Sequence, residues 1–200
     1  MAHAVVDEIA AHYMGTANPV FVAPVVEPEA TTIKIGFLND ATGPIAQFAA
    51  PFTYAWTQAQ ADLNAMGDDY VFEVVEADSG CDGTMGQTAA QSLVDSGVVA
   101  VAGAACSGAS MGANAVLSAA GIPMISYAST SPALSSDTDH PHFYRIVPSD
   151  ALQGQAAADM IAASGVNNTA VVHMTNSYGA GLADAVAVSY THLRAHETDS

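Results

Sequence analysis

Short apolar runs alternate with helical stretches along most of this chain, and that alternation limits the fold more than any other feature. Residues 33–38 form a β-branched run, followed by a turn signal at Gly43-Pro44 and an Ala/Gln-rich helical stretch over 45–66. Residues 71–76 read as the next strand, and 85–95 as a helix stopped by Gly97, where a C-terminal cap favours glycine. A continuous apolar strand is predicted over 98–102 and a helix over 110–120, ended by Gly121. Further strands are predicted over 123–127, 143–147 and 170–173. Helices are predicted over 151–163, with Asp150 as N-cap, and from Tyr178 onward. Such alternation means βαβ units and a doubly wound parallel sheet, an α/β fold. Ligands bind these sheets beyond the carboxyl ends of the strands, near a topological switch point. The segments to search are therefore 39–48, 77–83, 103–111, 128–131 and 174–179.

Charge removes whole classes of partner. The 200 residues carry 20 acidic side chains against 3 basic ones, Lys34, Arg145 and Arg194, for a net charge of −17. A basic patch cannot be built from three cations, so nucleic acid is excluded as a partner and anionic membrane surfaces are disfavoured. No stretch approaches the roughly 20 apolar residues of a membrane-spanning helix. Residues 1–31 contain no Lys or Arg, and their apolar run around 20–26 is broken by Pro24. They read as an irregular leader outside the fold, without the features of an export signal. Residues 188–200, VSYTHLRAHETDS, break the composition of everything before them. That string resembles translated sequencing-adapter read-through, so a non-native tail is expected there and His192, Arg194 and His196 receive no role.

Several catalytic patterns fail on inspection. Gly103-x4-Gly108 follows a strand like a phosphate loop, but Ala109 stands where Lys is required. No GxGxxG follows the first strand, so no nucleotide cofactor is expected. Residues 108–112 match the G-x-S-x-G nucleophile elbow with Ser110, and His140, His142 and His173 come later in the right order. Residues 103–107 intervene between strand and elbow, which leaves a serine hydrolase as a minor alternative. His140-Pro141-His142 has no Cys or carboxylate at ligand spacing and reads as a solvated loop, with no metal expected. Cys81 and Cys106 lie just past the second and third strands, whose loops overhang the same sheet edge. A disulfide is geometrically reasonable there and implies an oxidising compartment; two buried thiols in a cytosolic protein are the alternative.

Together, IKIGFLNDATGPIAQF at 33–48, the Cys81/Cys106 pair, ACSGAS at 105–110, GIPMISYASTSPAL at 121–134, FYRIVPSDALQG at 143–154 and NSYGAGLA at 176–183 carry a specific likeness. The chain resembles the type I periplasmic solute-binding proteins of branched-chain amino acid ABC importers, at the family's order and spacing. The resemblance implies two lobes: an incomplete first lobe over 32–149 with an apolar face left uncovered, and the beginning of a second over 150–187. It implies that Ser107, at a helix N-terminus, holds the ligand's carboxylate. The carbonyl of Ala128 and the hydroxyl of Thr130 would meet its ammonium, with Ser129 between them in the same loop. Phe48 would pack on the ligand side chain, and Tyr178 would close over it from the second lobe. The family's second-lobe acidic residue has no counterpart here. The resemblance thus implies a non-enzymatic protein that takes a small zwitterion and presents it to an ABC permease outside the cytoplasm. A sensing domain of a receptor with the same fold is the alternative. Branched-chain and other amino acids, amides, urea and aromatic acids all fit the first-lobe pattern.

Overall fold

The computed structural model describes residues 30–67, 69–166 and 168–198, so nearly all of the sequence assigned to the leader lies outside the described residues. The alternation resolves into β1 (Thr31–Asn39), α1 (Ala49–Ala65), β2 (Tyr70–Asp78), α2 (Gly83–Asp95), β3 (Ala100–Ala102) and α3 (Ser107–Ala119). Beyond these come β4 (Met124–Ser126), β5 (Phe143–Arg145), α4 (Asp150–Ala163) and α5 (Ser177–Thr198). The five strands form one parallel sheet in the order β2-β1-β3-β4-β5. The doubly wound α/β reading therefore holds. Gly97 and Gly121 end α2 and α3 at φ of 77° and 71°, a left-handed turn that glycine adopts without steric cost.

Register decides which side chains enter the core. Val101 pairs with Met124, and Met124 with Phe143. These three are buried, with Leu38 of β1, under α2 and α3, where Ala90, Leu93, Ala109 and Leu117 complete an apolar cluster. One residue further along each strand the side chain points the other way. There Ile125 and Tyr144 are 45% and 58% exposed. Of the described helices, α1 lies over the sheet on that side. It is pinned to β1 and β2 by polar bonds: Asn39 Nδ2 to Thr53 Oγ1 at 3.0 Å, Gln60 Nε2 to the Phe72 carbonyl at 2.9 Å, and Trp56 Nε1 to Glu76 at 3.2 Å.

Three expectations change. The predicted strand over 170–173 pairs with no described strand, and Val172 is 96% exposed; a parallel strand exists only through its neighbours' backbone groups. Asp150 does not cap α4. Ser149 takes that place, its hydroxyl accepting from the Ala151 N–H at 3.2 Å, and Asp150 turns inward, 1% exposed. Helix α3 starts three residues before the predicted 110, at Ser107. No helix among the described residues is long and apolar enough to cross a membrane.

Helices α2 and α3 touch backbone to backbone. A Cβ placed on Gly112 would lie 1.9 Å from the Gly83 carbonyl oxygen, and one on Gly86 would lie 2.5 Å from that of Ala109. Neither partner is a side-chain end that can swing aside. Gly112→Ala should therefore destabilise the chain by about 2 kcal/mol, the scale of overpacking in a close-packed interior. Gly67→Ala, with nothing within 4 Å, should stay within about 0.5 kcal/mol of the parent. Urea unfolding of the two variants checks this, and equal midpoints would contradict the described contact.

Candidate functional site

Strand β1 has β2 on one side and β3 on the other, so the connections after β1 and β3 leave in opposite directions and open a crevice at their carboxyl ends. Asp40, fully buried, is the first residue beyond β1. Its Oδ1 accepts from the Ser79 hydroxyl at 2.6 Å and the Cys81 N–H at 2.9 Å, and its Oδ2 from the Ala105 N–H at 3.3 Å. The disulfide Cys81–Cys106 joins the same two loops, with Cα atoms 5.1 Å apart. The thiol alternative is thereby corrected. Asp40 and the two sulfurs sit within 4.8 Å of one another, the spacing of a metal site, but the sulfurs are spent on each other.

Asp78, at the end of β2, works in the reverse direction. It accepts from the N–H groups of Ala41 (2.9 Å), Thr42 (3.2 Å) and Gly80 (2.9 Å), and from the Thr42 hydroxyl at 2.6 Å. Burial alone would raise its pKa, but the bonds from the Thr42 hydroxyl and the Gly80, Thr42 and Ala41 backbones outweigh burial. They hold the carboxyl below its ordinary 3.8.

Beyond β3 the chain turns at Gly103 (φ 114°), where a Cβ would lie 2.4 Å from the Leu38 carbonyl oxygen. The Ala104 carbonyl then lies within hydrogen-bonding reach of three hydroxyls: Ser126 at 2.6 Å, Ser129 at 3.1 Å and Ser110 at 3.2 Å. Ser129 also reaches the Ala105 carbonyl at 3.0 Å, and Ser110 and Ser129 share a bond of 2.8 Å. The Ser129 hydroxyl thus braces the β3 loop. Ser110 is fully buried inside α3, not on a turn, and its hydroxyl contacts are Ser129 and a carbonyl, with no histidine. This removes the nucleophile-elbow reading.

At the first turn of α3 no side chain caps the helix, which leaves its leading N–H groups without a side-chain acceptor. Ser107 Oγ accepts from the Ser131 N–H at 3.2 Å, and its own proton remains available to donate. Ser107 is 2% exposed, and Ser177 at the start of α5 lies beside Gly108, 3.5 Å from where a Cβ would stand. Thr130 is the opposite case. Its hydroxyl donates to Asp150 Oδ2 at 2.7 Å, so only its lone pairs remain for a further partner. Asp150 Oδ1 is buried and meets no donor. Arg145 donates to the Ser131 carbonyl at 2.9 Å and to the Ser135 hydroxyl. Burial lowers its pKa and the charge of Asp150 partly restores it.

The Ala128, Thr130 and Phe48 positions fall on connections, and Ser107 on the first turn of α3, at the carboxyl edge of the sheet. Ala128 and Phe48 are exposed. Tyr178, in the first turn of α5, stands in the wall of a hollow of about 340 Å³ between α4 and α5, with Gln153, His173, Met174 and Leu182. Asp150 is the residue that sequence reasoning misassigns. The signal is the pair Ser149-Asp150: two residues able to cap stand in succession, and only one can. A run of rings completes the edge. Phe48 meets Phe52 (centroids 6.3 Å), Phe52 meets Tyr127 (5.0 Å), and Tyr127 meets Phe37 (5.9 Å). Burial, then the charges of Asp40 and Glu76, raise the Tyr127 phenol far above its usual range, and its hydroxyl donates to the Leu38 carbonyl at 3.3 Å.

Comparison with known proteins identifies the family. The profile of the family described as "Receptor family ligand binding region" matches residues 52–196. The chain belongs to that family, with the fold of the type I periplasmic binding proteins. It is 32% identical over 160 residues to the Leu/Ile/Val-binding protein of Escherichia coli K12, covering 78% of this chain and 43% of that protein. It is 39% identical over 131 residues to metabotropic glutamate receptor 6 of Rattus norvegicus, covering 64% of this chain and 14% of the receptor. Among solved structures, the branched-chain amino acid transporter substrate binding protein of Streptococcus pneumoniae, in complex with isoleucine, superposes with a TM-score of 0.65 at 26% identity. That match covers 80% of this chain and 47% of the other. The chain therefore spans less than half the length of these relatives, which are binding proteins and receptors.

The Asp78 clamp gives a pH test. A carboxyl whose folded pKa lies below its unfolded value stabilises above that unfolded value, and the contribution is lost as pH falls through the lower folded one. Exchange protection of the Ala41, Thr42 and Gly80 amides should therefore persist at pH 3.8 and fall only below it. Asp78→Asn should weaken protection at neutral pH and flatten the profile. Protection that does not respond to either change would contradict the clamp.

Proposed function

We propose that this chain carries the ligand-binding lobe of an extracytoplasmic solute-binding protein for an ABC importer. Its ligand is a small zwitterion, an amino acid of branched-chain or related type. One observation carries the reading. Neighbouring loops offer hydrogen-bonding groups of opposite polarity: a Ser107 hydroxyl with its proton free at an uncapped helix N-terminus, and a Thr130 hydroxyl whose proton is committed to Asp150. The first suits a carboxylate, aided by the positive end of the helix dipole. The second, with the carbonyl of the exposed residue Ala128 and the negative charge of Asp150 behind it, suits an ammonium. No step in this pairing makes or breaks a covalent bond, so the site recognises its ligand without catalysis.

The lobes divide near Ser149, with 32–149 in the first and 150–187 opening the second. Ligand enters as the first turn of α5 parts from that of α3 and is enclosed when they close, by hinge motion about the connection between β5 and α4. Phe48 then packs on the ligand side chain and Tyr178 covers it from the second lobe. The closed form is the one that the permease partner reads. The disulfide fits an oxidising, extracytoplasmic compartment. The identity to a metabotropic glutamate receptor supports the second reading, a sensing domain built on the same site; a membrane or signalling module in the same polypeptide would favour it.

Ser107→Ala removes the donor to the carboxylate and Thr130→Ala the acceptor for the ammonium. Hydrogen bonds to charged groups contribute about 1.5–3 kcal/mol, so each variant should weaken L-leucine binding about tenfold or more by calorimetry. Unchanged affinity in both would remove the site.

A further inference from the structure

We propose that Arg145 is a positioning residue for the ligand: through Ser131 it sets the direction in which Ser107 offers its hydroxyl proton. This deepens the zwitterion reading and rests on it. Arg145 ends β5, outside the segments that carry the proposed ligand contacts. Its guanidinium reaches back across the connection from β4, donating to the Ser131 carbonyl at 2.9 Å and to the Ser135 hydroxyl. Ser131 caps the start of the short 3-10 turn Pro132–Ser135 and Ser135 ends it. One side chain thus grips both ends of that turn.

Ser131 in turn addresses Ser107. Its N–H donates to Ser107 Oγ at 3.2 Å. The carbonyl of the same peptide unit, that of Thr130, accepts from the Asp150 N–H at 2.8 Å. A serine hydroxyl carries one proton and two lone pairs and rotates to suit its neighbours. An N–H donated into one lone pair turns the proton away from Ser131 and leaves it for a carboxylate at the first turn of α3. Ser107 and Ser131 are both 2% exposed, so this orientation is set by protein groups and not by bulk water.

Local backbone structure holds Ser131 weakly. Its carbonyl accepts one main-chain bond, from the Leu134 N–H at 3.2 Å, in a turn whose hydrogen-bond geometry is poorer than that of an α-helix. The guanidinium adds a planar, charged fork that fixes Ser131 relative to Ser135. Burial disfavours that charge, and the carboxylate of Asp150 favours it. The same carboxylate accepts from the Thr130 hydroxyl. Arg145 and Asp150 therefore hold adjacent residues of one loop, Arg145 on the side that aims Ser107 and Asp150 on the side that commits the Thr130 proton. Arg145 acts on the ligand through Ser131 and Ser107 and does not touch it.

The test is a double-mutant cycle on the full chain, with L-leucine binding measured by calorimetry for Arg145→Met alone and combined with Ser107→Ala or Thr130→Ala. In the parent and Thr130→Ala backgrounds Arg145→Met should weaken binding about three- to tenfold, the worth of one ordinary hydrogen bond. Where Ser107 is already alanine the further loss should be less than about twofold, because residues acting through one contact are not additive. Arg145→Lys keeps a donor for the Ser131 carbonyl and should recover part of the loss; it carries the same cycle if the methionine variant does not fold. The Ser131 amide should exchange faster in either variant, while the Val101 and Met124 amides, bonded within the sheet, keep their protection. Equal losses in the parent and Ser107→Ala backgrounds would overturn this inference and leave the zwitterion reading intact. Affinity that does not respond to Arg145, or unchanged exchange at Ser131, would overturn it in the same way. Failure of the parent to bind L-leucine, L-isoleucine or L-valine would overturn both.

Discussion

The buried carboxylate of Asp40 is the contact on which the rest of this architecture depends. It stands at the end of β1 and accepts from the loops after β2 and β3 at once, while the Cys81–Cys106 bond joins those same loops covalently. Asp78 returns the tie, from the end of β2 to the loop after β1. A switch point separates neighbouring connections by construction, and loops that diverge have no backbone ladder to hold them. Here two carboxylates and a disulfide replace the ladder. An unpaired buried charge is costly, and each of these carboxylates is held by three or more donors. Their cost is thereby offset, and the first turn of α3 is fixed relative to β1.

That fixation gives the hydroxyls their polarity. Ser126, Ser129 and Ser110 converge on the Ala104 carbonyl, which holds the β3 and β4 loops together just before Ser107 and Thr130. The remaining hydroxyls are then specified by their neighbours, one with a proton to give and the other without. The net charge of −17 bears on the proposed ligand as well. A free anion would be repelled at long range, whereas a zwitterion has no net charge to be repelled and is oriented only at short range.

Much of this fold is legible from residues alone, and the limits are physical. Strand and helix order comes from periodicity, and the glycines at 97 and 121 mark helix ends because a left-handed turn is needed there. Side-chain pattern under-reads the extent of β1: Thr31 and Asn39 join the ladder through backbone pairing with Tyr70 and Asp78, which no side chain reports. The segment 170–173 has strand composition but no strand partner among the described residues. Asp150 looks like a cap only until Ser149 is weighed against it. The Ser129 hydroxyl turns inward for a reason no sequence shows: carbonyls and hydroxyls of two distant loops meet at one point. Tyr178 lines a hollow between α4 and α5, a setting that depends on how those helices pack and that its motif does not report.

The most direct test of the proposed site is an amide chemical-shift map of the isotopically labelled chain on addition of L-leucine. The largest changes should fall on the first turn of α3, at Ser107, Gly108 and Ala109, and on Ala128 to Thr130 across the crevice. Shifts confined to the hollow between α4 and α5, around Gln153 and Leu182, would contradict it and move the site away from the carboxyl edge of the sheet.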